Sequence, residues 1–228
     1  MNYRILGKTG LKVSEMGYGA WGIGKGAWIG ASDAESAKAL NWAVDLGLNF
    51  IDTALAYGDG HSEKLVGQLV KERSETIYGA TKVPPKNEVW PARPGVPVDQ
   101  TFPGEHIIAC TEASLKNLGL ETIDVQQFHV WSDEWVNQGD WLEAIQKLKE
   151  QGKVHSFGIS INDYQPANAI KLIETGFVDT VQVIYTVIPG MRSVRNVERN
   201  CQVADGRGLS REKVDKLKSH RWVRNFYE

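Results

Sequence analysis

"MGYGAWGIGKGAWIG", residues 16–30, holds Gly17, Gly19 and Gly22 in the spacing G-x-G-x-x-G. That spacing is the fingerprint of the turn that cradles a dinucleotide in a doubly wound α/β sheet. The fingerprint requires its third glycine to open a helix directly, so that a pyrophosphate meets the helix N-terminus. Here Gly24, Gly26 and Gly30 follow Gly22, and the first helical pattern starts only near Ser32. The acidic ribose ligand expected about 20 residues further on is also misplaced: Asp45 lies inside the helical pattern and Asp52 comes too late. The stretch reads instead as a first strand followed by a glycine-rich loop.

Downstream, apolar runs of strand length alternate with helical patterns. "SDAESAKALNWAVDLGL" (32–48) has Ser32 or Asp33 as a cap and an apolar stripe at Ala37, Leu40, Trp42, Ala43 and Leu46. "NFIDTA" (49–54) is a second strand, followed by the helix 62–73; the strand 75–83 precedes the helix 105–120. A strand at 122–131 leads to a helix at 141–153, a strand at 154–161 to a helix at 165–176, and 178–188 is a sixth strand. Strict alternation predicts a parallel sheet with right-handed crossovers. Tyr78 and Lys82 have the Tyr-x-x-x-Lys spacing of the short-chain dehydrogenases, but Gly79, the β-branched approach and Pro84-Pro85 make this segment a strand running into a loop. On a strand, two such side chains stand too far apart to touch.

The 228 residues, 42% hydrophobic and 24% charged, have the balance of a globular chain that buries a sizeable core. A formal charge of −2 gives no reason to expect nucleic acid, and no run of about 18 apolar residues is present to span a membrane. "MNYRILGKTGLKV" is too polar for a signal peptide. Cys110 and Cys201 are the two cysteines, far apart in sequence, so a reducing cytoplasm is the expected setting. Neither they nor the five histidines have metal-ligand spacing, and no metal is expected.

Polar residues recur at strand ends: Asp52 after the second strand, Lys82 after the third, His129 after the fourth and Ser160 near the end of the fifth. One histidine after a strand is usually structural, and one Asp-Thr is usually a helix cap. Four polar groups in register at the C-terminal ends of parallel strands converge on one mouth, where barrel enzymes carry their chemistry.

"NFIDTALAYGDGHSE" (49–63), with "TKVP" (81–84), "QQFHVW" (126–131), "FGIS" (157–160) and "IPGMRS" (188–193), resembles the aldo-keto reductases. The opening "YRILGKTGLKVSEMGYGAWGIG" resembles that family's start, a β-hairpin that plugs the bottom of the barrel. The resemblance covers nearly the whole chain. It implies a single α/β domain over 1–228 of (β/α)8 TIM-barrel type, with the hairpin at 1–15, a long loop at 84–104 and a phosphate-binding loop and helix at 188–228. It also implies an NADPH-dependent oxidoreductase acting on a small aldehyde or ketone, with Asp52, Tyr57, Lys82 and His129 as the catalytic four.

Those residue types suit the reaction. Carbonyl reduction puts a hydride on carbon and negative charge on oxygen, so a proton donor must stand within reach of that oxygen. Tyr57, whose ordinary pKa is about 10, is a reluctant acid, and the ammonium of Lys82 would favour its phenolate. Asp52 would neutralise Lys82, and His129 would hold the carbonyl through an N–H. By resemblance, Ser160 and Gln182 hold the nicotinamide carboxamide and Tyr185 stacks on its ring. Arg192, Ser193, Asn196 and Asn200 match the stretch that grips the adenosine 2′-phosphate, for which a guanidinium fork is suited. Two positions depart from the family pattern: Ile161 stands where Asn is common, and Arg199 where Glu is frequent.

Six of the eight prolines fall between Pro84 and Pro103. A loop of this length inside a compact domain usually has a function; it is expected to shape a substrate pocket, with Trp21, Trp90 and Trp131 as walls. The eight-unit barrel is expected to be incomplete. Such a barrel takes about 250 residues, yet the sixth strand already reaches position 188. "VQVIY" joins "TVIPG" directly, so that one run starts like strand six and ends like strand eight. About six to seven βα units fit, without the region of strand seven and its flanking helices. A catalytically impaired cofactor-binding or subunit protein is therefore an alternative to an active reductase.

Overall fold

The computed structural model describes residues 1–25, 32–161, 167–183 and 190–202. The chain opens with an antiparallel hairpin of β1 (Tyr3–Ile5) and β2 (Lys12–Ser14). Six parallel strands follow in sequential order, β3 (Tyr18–Gly19), β4 (Phe50–Asp52), β5 (Tyr78–Val83), β6 (Ile123–Phe128), β7 (Val154–Ser160) and β8 (Thr180–Gln182). Sequential parallel order is what repeated right-handed crossovers produce. The sheet curls as an open half-barrel, which is the incomplete barrel that the strand count implied.

Helices α1 (Asp33–Asp45), α2 (His61–Glu72), α4 (Gly104–Leu118), α5 (Trp141–Glu150) and α6 (Ile170–Thr175) connect these strands. A short α3 (Val98–Thr101) interrupts the proline-rich loop. The amide of Glu35 donates to Ser32 Oγ at 3.2 Å, so Ser32 is the cap of α1. Tyr78 and Lys82 lie on one strand, as β-branched neighbours and the following prolines require.

Three apolar clusters hold the layers together. Between α4, α5 and the sheet, Phe128 stacks on Phe102 at 4.2 Å and meets Phe157 and Trp141 edge-on. Aromatic pairs of this kind contribute about 0.5–1.5 kcal/mol each beyond their buried area. A second cluster joins α1 and α2 to β3 and β4 through Leu40, Val44, Ile51, Val66 and Leu69. The third lies at the barrel bottom, where Leu11 and Val13 of the hairpin meet Phe50, Ala80 and Val125. There Ser14 N donates to Asn49 Oδ1 at 2.7 Å and Asn49 N donates to Ser14 Oγ at 3.1 Å, fixing the plug to the start of β4.

The far end of the chain returns to the first strand. Gly190 forms a parallel bridge to Gly19, Met191 N donates to Gly19 O at 3.4 Å, and the Tyr18 hydroxyl donates to Met191 O. Strand β8 lies beside β7, and Gly190, eight positions beyond its end, pairs with β3. After it comes α7 (Val194–Gln202). Tyr185, Ile188 and Pro189, and the C-terminal part of the expected 188–228 segment beyond 202, lie outside the described residues.

Candidate active site

The strand register places Lys82, Gln127, Gly158 and Thr180 side by side across β5 to β8. Side chains alternate faces along a strand, so this row shares one face of the sheet, and Thr81, Gln126 and Phe157 share the other. A β-carbon at Gly158 would touch Thr180 Oγ1 and stand 3.2 Å from Gln127 Cγ, which puts both side chains on the face toward Lys82. Thr81 instead donates to the buried Glu63 of α2 at 2.5 Å, and Asn117 donates to the other carboxylate oxygen at 2.8 Å.

Lys82 is 1% exposed and Asp52 4%. Lys82 Nζ donates to Asp52 Oδ1 at 2.6 Å and to Thr53 O at 2.8 Å. Burial alone disfavours the ammonium, but the Asp52 carboxylate, with the Tyr57 side chain opposite, outweighs it and holds the lysine above its ordinary range. Thr53 is itself fixed from behind, its hydroxyl donating to Ser62 Oγ, which donates to Ala20 O. The ammonium is thus clamped at the centre of the mouth.

Tyr57 stands over this cation, with Lys82 Nζ 5.2 Å from the ring centroid. The His129 ring meets Tyr57 edge-on at 5.6 Å and Trp90 edge-on at 4.4 Å. Burial, then the Lys82 charge, hold His129 well below its ordinary pKa of 6.5, so the imidazole is neutral at pH 7. Its Nδ1 is buried and has no partner among the described residues. Asp52, Tyr57, Lys82 and His129, taken from three different strand ends, are brought together.

Of the expected pocket walls, Trp21 is half exposed, with its ring 6.2 Å from that of Tyr57, and Trp90 covers His129. Trp131 needs correction. It is 1% exposed and packs against Phe128, Trp135 and Trp141, with its indole N–H donated to Asp133. A large apolar side chain two residues beyond His129 gains more from the α5 interface than from the mouth.

Ser160 and Gln182 are register partners at the upper edge of β7 and β8. Gln182 Nε2 approaches Asp52 Oδ2 at 3.5 Å, while its Oε1 is buried without a partner among the described residues. Ile161, in the position where Asn is common, turns away into the α5 core. Arg192, Ser193, Asn196 and Asn200 lie at the start and along the length of α7, where Asn196 N donates to Ser193 O at 3.0 Å. Sequence reasoning missed Thr53, Gln127 and Thr180. Counting back in twos from His129 along β6 would have found Gln127, because period-two spacing keeps it on the same face.

A family model described as the aldo/keto reductase family matches residues 15–187. Aldo-keto reductase YhdN of Bacillus subtilis is 32% identical over 165 residues, covering 70% of this chain and 47% of that protein. A probable voltage-gated potassium channel subunit beta of Arabidopsis thaliana is 37% identical over 132 residues, 57% of this chain and 37% of that one. An aldo-keto reductase from Klebsiella pneumoniae, solved in complex with NADPH, superposes with a TM-score of 0.72 at 20% identity, over 100% of this chain and 98% of that one. That last likeness establishes the fold. The chain spans about half, or less, of the length of the curated relatives it matches.

Proposed function

The chain belongs to the aldo/keto reductase family, and from that premise we propose that it is an NADPH-dependent oxidoreductase that reduces a small aldehyde or ketone to an alcohol. The observation that carries this reading is the buried Lys82–Asp52 pair beneath Tyr57, with neutral His129 beside it. A buried ion pair is weak evidence of stability alone. Placed at the C-terminal mouth of a parallel barrel and aimed at a phenol, it has a chemical use.

The residues present fit the dinucleotide. Gln182 Oε1, buried beside Ser160 and without a partner among the described residues, is an acceptor for a carboxamide N–H, and the Arg192 guanidinium suits a phosphate dianion. When bound, NADPH supplies a hydride to the carbonyl carbon. His129, neutral, donates an N–H to the carbonyl oxygen and fixes its orientation. Tyr57 releases its proton to that oxygen as charge develops there. Lys82 stabilises the phenolate left behind, and Asp52 keeps Lys82 charged inside the protein. Trp21 and Trp90 exclude water from the reacting face.

NADPH-dependent reduction of a generic aldehyde tests the proposal: wild type is expected to consume NADPH, and Tyr57→Phe to lose that activity while still binding the dinucleotide. A second reading, a cofactor-binding subunit of a larger assembly, draws support from the likeness to a channel beta subunit. Equal inactivity of wild type and Tyr57→Phe, with saturable NADPH binding in both, would favour it.

A further inference from the structure

Gly22, the last glycine of the opening motif, is buried in the turn Trp21–Ile23 directly after β3, and the Arg192 side chain lies across it. A β-carbon at Gly22 would stand 2.6 Å from Arg192 Cδ and closer still to Cγ, with Nε at 3.7 Å. The overlap falls on the stem of the arginine and not on its mobile tip, so swinging the guanidinium aside would not relieve it.

The backbone that carries Arg192 has little freedom to retreat. Gly190 is bridged to Gly19, and Met191 is held on both sides, its N–H by Gly19 O and its carbonyl by the Tyr18 hydroxyl. With that backbone held, the course of the Arg192 stem depends on the missing side chain at position 22. One anionic group already stands close by: Val194 N, at the start of α7, donates to Glu35 Oε1 at 3.4 Å. Any phosphate near this helix end must meet that carboxylate, which makes the aim of the Arg192 fork the deciding attraction.

We propose that Gly22 is a specificity-determining position: by leaving room for the Arg192 stem, it aims the guanidinium at the adenosine 2′-phosphate and sets the preference for NADPH over NADH. This rests on the reductase reading above, and it gives the G-x-G-x-x-G stretch a role that involves no contact between its turn and a pyrophosphate.

Equilibrium titration of tryptophan fluorescence with NADPH and with NADH, on wild type, Gly22→Ala, Arg192→Ala and the double variant, tests it. Gly22→Ala is expected to weaken NADPH binding about tenfold, as loss of one charge-assisted contact would. NADH binding should change by less than about twofold, and the Arg192→Ala background should show no further effect of Gly22→Ala. Equal weakening of both dinucleotides, or a Gly22→Ala effect that persists without Arg192, would overturn the proposal, as would unchanged affinities; the reductase reading would survive each. Wild type that shows no saturable response to NADPH would overturn both. If Gly22→Ala alone does not fold, Arg192→Ala should rescue it, and failure of that rescue refutes the packing argument.

Discussion

Gly58 faces Gly24 so closely that a β-carbon at position 58 would overlap the Gly24 carbonyl oxygen and stand 2.7 Å from its carbon. Gly24 in turn leaves no room for a side chain against the Tyr57 backbone, whose carbonyl carbon would lie 2.7 Å from a β-carbon there. The loop after β3 and the loop after β4 are thus in backbone contact, and Tyr57 is held between them. Gly58 also has φ +68°, a conformation that costs a side-chain-bearing residue about 1 kcal/mol or more. Gly58→Ala should therefore lose both stability and turnover, while Gly119→Ala, strained in φ but open in space, should lose a little stability alone. Thermal unfolding and aldehyde reduction measured on both variants separate contact from conformation.

Removing one member of the buried ion pair strands the other. Asp52→Asn leaves the Lys82 ammonium without its counter-charge at a site 1% exposed, and a loss of about 3–5 kcal/mol is expected. Replacing both, with Asp52→Asn and Lys82→Met, should recover most of that stability and none of the activity. Urea denaturation gives the first quantity and NADPH consumption the second.

The same pair predicts an alkaline limb. The folded pKa of Lys82 is raised above its ordinary 10.5 despite its burial, because Asp52 and Tyr57 favour the ammonium. Folding therefore binds the proton more tightly than the unfolded chain does. The stability it contributes is complete below 10.5 and is lost as pH rises through the higher folded value. The Asp52→Asn, Lys82→Met variant should show a shallower fall in its urea midpoint above pH 10.5 than wild type.

His129 acts in the opposite direction. Burial and the Lys82 charge keep its imidazole neutral well below pH 6.5, whereas the unfolded chain takes up a proton near that value. Its contribution is complete above 6.5 and is lost as pH falls toward the lower folded value. His129→Asn should flatten the decline of stability below pH 6.5, as measured by denaturation midpoints in a series of buffers.

Glu35 places a carboxylate on the first amide of α7, beside Arg192 and Ser193. Glu35→Gln keeps an acceptor for Val194 N and removes a charge that repels phosphate. NADPH affinity should rise about threefold at low salt and by less at high salt, since exposed charge pairs are weak and screened. Fluorescence titration at two ionic strengths checks this.

Most of the fold was legible in the chain because it rests on local pattern. The period of apolar residues separated helices from strands, Ser32 or Asp33 marked the start of α1, and the polar strand ends at Asp52, Lys82 and His129 marked the mouth. Those three lie in short runs whose direction follows from strand alternation, and Tyr57 follows one of them by five residues. What local pattern does not encode is which of two surfaces a large side chain joins. Trp131 and Trp90 are both tryptophans in segments that follow strands, yet one is sealed in the α5 core and the other covers His129.

The sequence by itself determined that strands and helices alternate, that the sheet is parallel, and that the acid, amine and imidazole stand at one end of it, because spacing and side-chain chemistry are properties of the chain; the phenol of Tyr57 joined them only through the family resemblance. Only the tertiary structure decided that the two ends meet. Gly19 bridges Gly190 and Gly22 lies beneath Arg192 across about 170 residues of sequence, a closeness that sheet curvature creates and that no local signal carries.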